Sequence, residues 1–238
     1  MSDFRLTLVI PCYNELNNLE KLVQKCENLC NADNAIDVVL VDNGSSDGSS
    51  EIFAKGFLHD RINSIRVDVN QGYGFGILSG LRAAKGDVIG WTHADLQTDP
   101  MDAIKALECF RGAKDPRHVF VKGCRVGRPI RDVAFTWGMT AVASLALGKK
   151  LTDINAQPSL FHRDFFATWA DAPNDFSLDL YAYALALSMN LEIERVKVNF
   201  GDRMFGVGHN ESLISKLRYS RRTLGYIVKL RQRMRLSC

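Results

Sequence analysis

The sequence lacks the patterns typical of zinc modules, membrane spans and repeat proteins. None of its six cysteines forms a Cys-x-x-Cys pair, and no histidine has zinc-ligand spacing to them. The longest apolar run, 133–148, is shorter than the ~20 residues that span a bilayer, and it also contains Thr, Ser, Trp and Gly. No internal repeat, low-complexity stretch or N-terminal secretory signal is visible. These absences predict one reduced, cytoplasmic, globular domain.

Acidic residues are absent from the end of the chain. The 238 residues carry 30 lysines and arginines against 27 acidic residues, a net charge of +3. Eight of those basic residues and no acidic one lie from Lys216 onward, so the rest has 22 basic against 27 acidic residues. The body is therefore mildly acidic, and the tail favours anionic partners such as lipid head groups or nucleic acid.

The tail also has an apolar stripe, which points to one of those partners. A basic amphipathic helix of this kind lies on an anionic membrane surface. A solvated surface helix and an RNA-binding segment are the alternatives. The membrane is favoured, and nucleic acid is not expected, because no aromatic stacking platform accompanies the charge. The stripe consists of Leu213, Leu217, Leu224, Ile227 and Val228.

Short apolar runs alternate with helical patterns along the first half of the chain. Strands alternating with helices predict an α/β fold, a mostly parallel sheet flanked by helices on both faces. Asn14 can cap the first helix. The predicted strands are 4–11, 36–41, 62–69, 88–91 and 119–122.

Polar residues concentrate directly after these strands. The carboxyl ends of parallel strands meet at one edge of a sheet, where ligands of such folds bind. The sequence therefore predicts a ligand site at this edge, although the first two of these loops can also be read as ordinary turns. The loops are 11–15, 42–47, 70–76, 93–97 and 125–131.

Asp95 follows the fourth strand, where a carboxylate can hold a divalent cation against a diphosphate. The alternative, a helix cap, is already supplied by Asp99-Pro100. The glycine cluster 72–76 opens a helix, where glycines allow close backbone approach to a ligand and a helix N-terminus suits phosphate. No Gly-x-Gly-x-x-Gly follows the first strand, which argues against a dehydrogenase.

The motifs VIPCYNE, VLVDNGSSDG, NQGYGFGILSGLRAAKGD and HADLQTDP occur in this order and spacing. Together they resemble the family 2 glycosyltransferases, and within these the polyprenyl-phosphate (dolichyl-phosphate) sugar synthases. The resemblance covers residues 6–208. It implies a GT-A fold over 1–210, a nucleotide-binding sheet, followed by a basic amphipathic C-terminal helix or tail over 211–238.

The resemblance also implies roles for individual residues. Asp95, Arg125 and Asp153 would be catalytic, and Asp95 would hold Mg²⁺ or Mn²⁺ with Gln97 and His93. Arg131 would bind the acceptor phosphate. The nucleotide-sugar would be bound by Pro11, Tyr13, Glu15, Val41, Asp42, Asn43, Ala94, Asp95, Arg125, Arg203 and His209.

Four positions depart from the family pattern. His93 replaces the first acid of the usual Asp-x-Asp and favours Mn²⁺ over Mg²⁺. Asn43 replaces an aspartate of the base-binding pair, and His209 stands where a lysine is common. The segment 155–161 replaces the usual Ser-Gly-Phe-Arg stretch.

The expected reaction is inverting transfer of a sugar from a UDP- or GDP-sugar to a polyprenyl phosphate. A first alternative is transfer to a hydroxyl of a saccharide or lipid-linked glycan, which needs a carboxylate base, Asp153 or Asp179. Asp179 can instead serve its helix dipole. A second alternative is a non-catalytic nucleotide-sugar-binding protein. The run 133–148 fits either an interfacial or a core helix, and the expected location is cytoplasmic, peripheral on the inner membrane face.

Overall fold

The structure, a computed structural model, describes residues 4–127, 130–201 and 225–232, without the side chains of residues 130–137 and 139. The strands are β1 (Leu6–Cys12), β2 (Ile36–Asn43), β3 (Ile62–Val67), β4 (Val88–Trp91), β5 (Val119–Val126), β6 (Ser159–His162) and β7 (Glu192–Asn199). The helices are α1 (Leu16–Ala32), α2 (Ser49–Lys55), α3 (Tyr73–Ala83), α4 (Asp102–Gly112), α5 (Ile130–Leu147), α6 (Arg163–Ala167) and α7 (Leu178–Ser188). A short 3₁₀ helix covers Pro116–His118 and a further helix covers 225–232.

The strands form one seven-stranded sheet in the order β3-β2-β1-β4-β6-β5-β7. Every pairing is parallel except those of β6, which runs antiparallel to β4 and β5. The prediction of a mostly parallel α/β sheet is confirmed. The predicted strands omitted β6 and β7, because β6 has only four residues and β7 is a polar run, EIERVKVN, with alternating burial.

Several strands extend further toward the site than their apolar runs suggest. β2 continues through Asp42, which pairs with Cys12, and Asn43, which pairs with Val67. β5 continues to Arg125, opposite Val198 of β7. Backbone pairing with neighbouring strands therefore fixes residues that the sequence placed in loops, and it gives their side chains defined positions at the sheet edge.

The sheet carries an apolar layer on each face. Leu8 and Ile10 of β1 point into the layer covered by α1 and α4, whereas Val9 points into the layer covered by α3 and α7. Leu22 of α1 and Phe110 of α4 are fully buried in the first layer. Burial of one such side chain contributes about 1.5–3 kcal/mol, so these two layers hold the strand ends in place.

The space beside two glycines of the 72–76 cluster is filled by another segment of the protein. A Cβ on Gly72 would overlap the carbonyl oxygen of Asn174, and one on Gly74 would lie 2.5 Å from the carbonyl oxygen of Pro173. The amide of Phe75 donates to the same Asn174 carbonyl at 3.0 Å. The interpretation that these glycines let a ligand approach the backbone is therefore wrong for the faces of Gly72 and Gly74 where a Cβ would lie. The segment 173–175 fills that space.

We expect Gly72→Ala to destabilise the protein strongly, because it adds both backbone strain and a steric clash. Gly72 has a φ of +117°, and the added Cβ would meet backbone that cannot rotate away. Gly56→Ala is the matched control, since Gly56 has a φ of +74° but nothing within 4 Å of its Cβ position. The difference between the two variants should be about 2 kcal/mol in urea unfolding. Equal costs would contradict the packing role of Gly72.

The described parts of α5 and the C-terminal segment are surface helices. Ala143 of α5 is buried, but Leu145 is 86% exposed, so this part is not a fully buried core helix. In helix 225–232 the side chain of Ile227 is only 2% exposed, whereas Val228 is 58% exposed. The prediction that both lie on one membrane-facing stripe is therefore wrong, because Ile227 packs into the core. No helix within the described ranges is long and apolar enough to cross a membrane.

Candidate active site

The loops after β1 and β2 are joined to each other by side-chain hydrogen bonds. The amide of Asn14 donates to Ser45 Oγ at 3.1 Å, and the amide of Ser46 donates to Asn14 Oδ1 at 2.8 Å. Asn14 has a φ of 55° and precedes Glu15, which is the N-cap residue of α1 and makes no side-chain cap bond. The prediction of Asn14 as the helix cap is wrong, because its side chain orders the neighbouring loop instead.

Asp42 lies near the end of β2, and its side chain organises the loop that follows. Asp42 is fully buried; its Oδ1 accepts from the amide of Ser45 at 2.9 Å, and its Oδ2 accepts from the hydroxyl of Ser50 at 2.7 Å. Asn43 donates from Nδ2 to the carbonyl of Gly72 at 3.0 Å, and its buried Oδ1 has no hydrogen-bond partner among the residues that the structure describes. Both side chains therefore shape the sheet edge at which the resemblance places the nucleotide base.

The remaining residues expected near the nucleotide differ in exposure. Tyr13 is 39% exposed, and Pro11 and Glu15 are half-buried, so their side chains are accessible from this edge. Val41 and Ala94 are buried in the apolar layers. A contact from Val41 or Ala94 to a nucleotide would accordingly come from the backbone.

The loop after β4 carries the expected metal residues. Asp95 is 8% exposed, and its Oδ1 accepts from the amide of Gln97 at 3.2 Å. Gln97 is tied to Gly201, whose amide donates to the Gln97 carbonyl at 2.9 Å, while Gln97 Nε2 donates to the Gly201 carbonyl at 3.2 Å. The ring of His93 stacks on Tyr73 with centroids 5.7 Å apart. Gln97 and His93 are thus held by contacts to other parts of the chain, whereas the contact between Asp95 and Gln97 lies within the loop.

These donors fit a cation that is shared with a ligand. Among the described residues no group of three His, Cys, Asp or Glu side chains could hold a metal ion. Mg²⁺ and similar ions are commonly held by one or two carboxylates together with substrate phosphates and water. A carboxylate from Asp95, an imidazole from His93 and an amide oxygen from Gln97 meet that requirement when a diphosphate supplies further oxygens.

Arg125 and Asp153 form an ion pair at the end of β5. The amide of Arg125 donates to Asp153 Oδ2 at 2.9 Å, and the guanidinium donates to Asp153 Oδ1, with Nε at 2.9 Å. Arg125 also lies over the ring of Phe200, 5.2 Å from its centroid. Asp153 has a φ of 43°, a conformation uncommon outside glycine. Both oxygens of Asp153 therefore serve to orient the arginine.

A buried polar network lies between β5, β6 and α7. Lys122 and Asp179 are both almost fully buried and form an ion pair at 3.1 Å. Lys122 also donates to Ser159 Oγ at 2.7 Å, and Gln157 Nε2 donates to Asp179 Oδ1 at 2.6 Å. Burial lowers the pKa of Lys122, and the charge of Asp179 opposes that change. The possibility that Asp179 acts as a base toward an acceptor is wrong, because its carboxylate is buried and paired.

Sequence analysis missed Lys122, Ser159 and Gln157 as a connected set. The sequence contained one indication of this network, Lys122 within the apolar run VFVKG. A lysine in a buried strand needs a partner for its charge. Three expected residues, Arg203, His209 and the side chain of Arg131, lie outside the described residues. The boundary at 210 between the main domain and the tail lies there too.

Comparisons with known proteins identify the family and the fold. The sequence model described as glycosyl transferase family 2 matches residues 7–171, well over half of the chain. The chain belongs to glycosyl transferase family 2. Its seven-stranded α/β architecture is the GT-A fold, as the resemblance predicted.

Curated relatives match over part of the chain. The undecaprenyl-phosphate 4-deoxy-4-formamido-L-arabinose transferase of Edwardsiella ictaluri is 34% identical over 115 residues, covering 45% of this chain and 35% of that protein. The transferase of the same name from Salmonella choleraesuis is 33% identical over 99 residues, covering 40% of this chain and 30% of that protein. The chain thus spans about a third of the length of the curated relatives it matches.

Solved structures share the fold at low sequence identity. Glucosyl-3-phosphoglycerate synthase from Mycobacterium tuberculosis, in complex with Mn²⁺, UDP and glucosyl-3-phosphoglycerate, aligns with a TM-score of 0.73 and 16% identity. The alignment covers 95% of this chain and 80% of that one. At this identity the similarity concerns the fold.

Proposed function

We propose that the protein transfers a sugar from a UDP- or GDP-sugar to a polyprenyl phosphate, with inversion at the anomeric carbon. The observation that carries the proposal is the meeting of the predicted polar segments at the carboxyl edge of the GT-A sheet. The names of the curated relatives, undecaprenyl-phosphate sugar transferases, support the same acceptor class.

On the donor side, the base and ribose lie against the edge formed by Tyr13, Glu15 and the loop that Asp42 organises. The diphosphate lies beside Asp95, with Arg125 supplying positive charge. A divalent ion held by Asp95, with His93 and Gln97, neutralises charge on the leaving diphosphate when it is bound. Mn²⁺ suits the imidazole of His93 better than Mg²⁺ does.

On the acceptor side, the positions of the carboxylates favour a phosphate over a hydroxyl. A hydroxyl acceptor needs a base to take its proton. Asp179 is buried against Lys122, and both oxygens of Asp153 already accept from Arg125. A lipid phosphate is anionic before it reacts and needs little help from a base. It therefore suits a site in which both candidate bases are already paired with basic side chains.

The experiment compares acceptors directly. The protein is incubated with Mn²⁺, radiolabelled UDP- and GDP-sugars, and either undecaprenyl phosphate or undecaprenol, and the organic-extractable label is counted. The proposal predicts label with the phosphate and none with the alcohol. Label with undecaprenol would favour the hydroxyl-acceptor enzyme. Nucleotide-sugar binding by calorimetry with no turnover on either lipid or on saccharide acceptors would favour the non-catalytic binding protein.

We also propose that the protein binds an anionic membrane surface at the cytoplasmic face through its basic C-terminal segment. Lys229 and Arg231 are exposed on helix 225–232, whereas Ile227 and Leu230 anchor that helix in the core. Truncating the tail would therefore also remove core side chains. Neutralising exposed basic residues tests the membrane contact without that loss of packing.

We expect the double variant Lys229→Gln/Arg231→Gln to float less with anionic liposomes. Each basic residue near an anionic surface contributes about 1 kcal/mol, so the pair should weaken binding roughly 30-fold. The matched control is Lys55→Gln/Lys85→Gln, which neutralises two exposed lysines elsewhere. Equal flotation of both double variants would mean that these two charges do not hold the protein on the membrane.

A further inference from the structure

Two of the departures from the family pattern meet in space at Tyr73, a residue of the 72–76 cluster to which the sequence motifs assigned no role. His93 replaces an acid in the metal loop, and Gln157 lies in the segment that replaces Ser-Gly-Phe-Arg. The ring of Tyr73 stacks on His93, and its hydroxyl accepts from Gln157 Nε2 at 3.4 Å. The two departures are thus bridged by one side chain at the start of α3.

Tyr73 is the middle ring of a three-ring stack. Its ring is nearly parallel to that of Phe176, with centroids 4.7 Å apart and an interplanar angle of 12°. The Tyr73 ring also stacks on the imidazole of His93, with centroids 5.7 Å apart and an interplanar angle of 26°. Offset stacking of this kind is worth about 0.5–1.5 kcal/mol per pair beyond burial. The imidazole plane is therefore set by the Tyr73 ring, which Phe176 supports in turn.

The stack depends on the glycines of the 72–76 cluster. Because Gly72 and Gly74 have no Cβ, the backbone of 173–175 packs directly against α3. The hydrogen bond from Phe75 to Asn174 fixes that approach. Phe176 follows immediately in the chain, so the close packing delivers its ring to Tyr73.

The buried network fixes the other end of Tyr73. The amide group of Gln157 is fully committed: its nitrogen donates to Asp179 and to Tyr73, and its oxygen accepts from Ser159 at 3.1 Å. The ion pair of Asp179 with Lys122 holds this amide in one orientation. The Tyr73 ring is thus held by ring packing on its faces and by a polar contact at its hydroxyl.

Among the described residues, the ring of His93 stacks on Tyr73, and neither of its ring nitrogens has a hydrogen-bond partner there. A metal-binding imidazole is usually oriented by a hydrogen bond from its second nitrogen. In this protein the contact that orients the His93 imidazole is the stacked face of the Tyr73 ring.

We propose that Tyr73 is a positioning residue for His93: the Phe176–Tyr73–His93 stack sets the imidazole so that one ring nitrogen faces the cation of the donor diphosphate. This inference rests on the proposed function, in which His93 takes part in metal binding. It assigns Tyr73 to a specific step of ligand binding.

The test uses Mn²⁺ with UDP or GDP, whichever binds more tightly, on the full chain. Pulsed EPR detects nitrogen coupled to bound Mn²⁺, and calorimetry gives the Mn²⁺ affinity in the presence of the nucleotide. The wild type should show a nitrogen signal that His93→Ala loses. Tyr73→Leu and Phe176→Leu should reduce the signal and weaken Mn²⁺ binding about tenfold, the usual size of an outer-shell effect. Tyr73→Phe keeps the stacked ring and loses only the long contact from Gln157, so it should retain most of the nitrogen signal and bind Mn²⁺ more tightly than Tyr73→Leu.

The controls separate positioning from folding. Phe57→Leu removes an aromatic ring that packs on the opposite apolar layer, and it should leave the Mn²⁺ signal unchanged. Thermal unfolding of each variant identifies any that fails to fold, and Phe176→Leu provides a second disruption of the same stack. If Tyr73→Leu and Phe176→Leu both keep the wild-type signal and affinity, the inference is overturned while metal binding by His93 stands. If the wild type has no nitrogen signal, metal binding by His93 is overturned as well.

Discussion

We expect Asp95→Ala to abolish the metal-dependent part of nucleotide binding and to lower transfer at least about 100-fold. The expected loss follows from removing the one carboxylate of the metal loop, because a metal ion stabilises the leaving charge by several kcal/mol, and each 1.36 kcal/mol corresponds to about tenfold in rate. Calorimetry of UDP or GDP binding with and without Mn²⁺ measures the first effect, and the lipid transfer assay measures the second.

Asp60→Ala is the control for that variant. Asp60 is an exposed carboxylate before β3, at the end of the sheet away from the strand carboxyl ends. It should leave both measurements unchanged. Unchanged nucleotide affinity in Asp95→Ala would remove Asp95 from the site.

Asp179→Ala should destabilise the protein by about 3–5 kcal/mol, because it leaves the buried ammonium of Lys122 without its partner charge. Urea unfolding at pH 7 measures this cost. The double variant Lys122→Met/Asp179→Leu removes both charges and should recover at least half of it, since a buried pair is often replaceable by apolar side chains. A cost below about 1 kcal/mol for Asp179→Ala would contradict the importance of the pair.

The same variant should gain stability relative to the wild type as the pH rises toward 10.5, the ordinary pKa of lysine. Burial lowers the pKa of Lys122 in the folded protein below its ordinary value of 10.5, and the opposing charge of Asp179 is absent in the variant. The unfolded chain then binds more protons than the folded chain between the two pKa values. Folding stability therefore increases with pH over that window.

Sequence reasoning succeeded where structure is determined locally. β4 was predicted at its observed bounds, because VIGW is a short apolar run between polar segments. Asp95 was placed at a strand end because that strand and the following turn are adjacent in sequence. The parallel sheet followed from the alternation of strands and helices, which needs no knowledge of distant contacts.

Sequence reasoning failed where partners are distant in the chain. The Arg125–Asp153 pair and the Lys122–Asp179 pair join separate elements, so neither could be read from local pattern. β7 left only a partial signal, the alternation of buried Val196 and Val198 with exposed neighbours. The contact between Tyr73 and His93 depends on how α3 and the β4 loop pack, which no spacing rule describes.

The glycine cluster was correctly identified as a place of close backbone approach, but the approaching group was predicted incorrectly. Gly72 and Gly74 do mark close backbone approach, as glycines in such clusters do. The approaching group is the protein's own segment 173–175 rather than a phosphate. Sequence alone cannot distinguish the two, because both demand the same absence of a Cβ.

The central claim, that the donor diphosphate and its cation bind at the carboxyl edge of the sheet, is tested most directly by a crystal structure of the protein with Mn²⁺ and the tighter-binding of UDP or GDP. The anomalous scattering of Mn²⁺ locates the ion independently of the chain tracing. We predict a single Mn²⁺ peak in direct contact with Asp95, with the diphosphate between it and Arg125. A Mn²⁺–nucleotide complex elsewhere, for example in the groove between α1 and α2 lined by Val23, Glu27 and Phe57, would contradict the account.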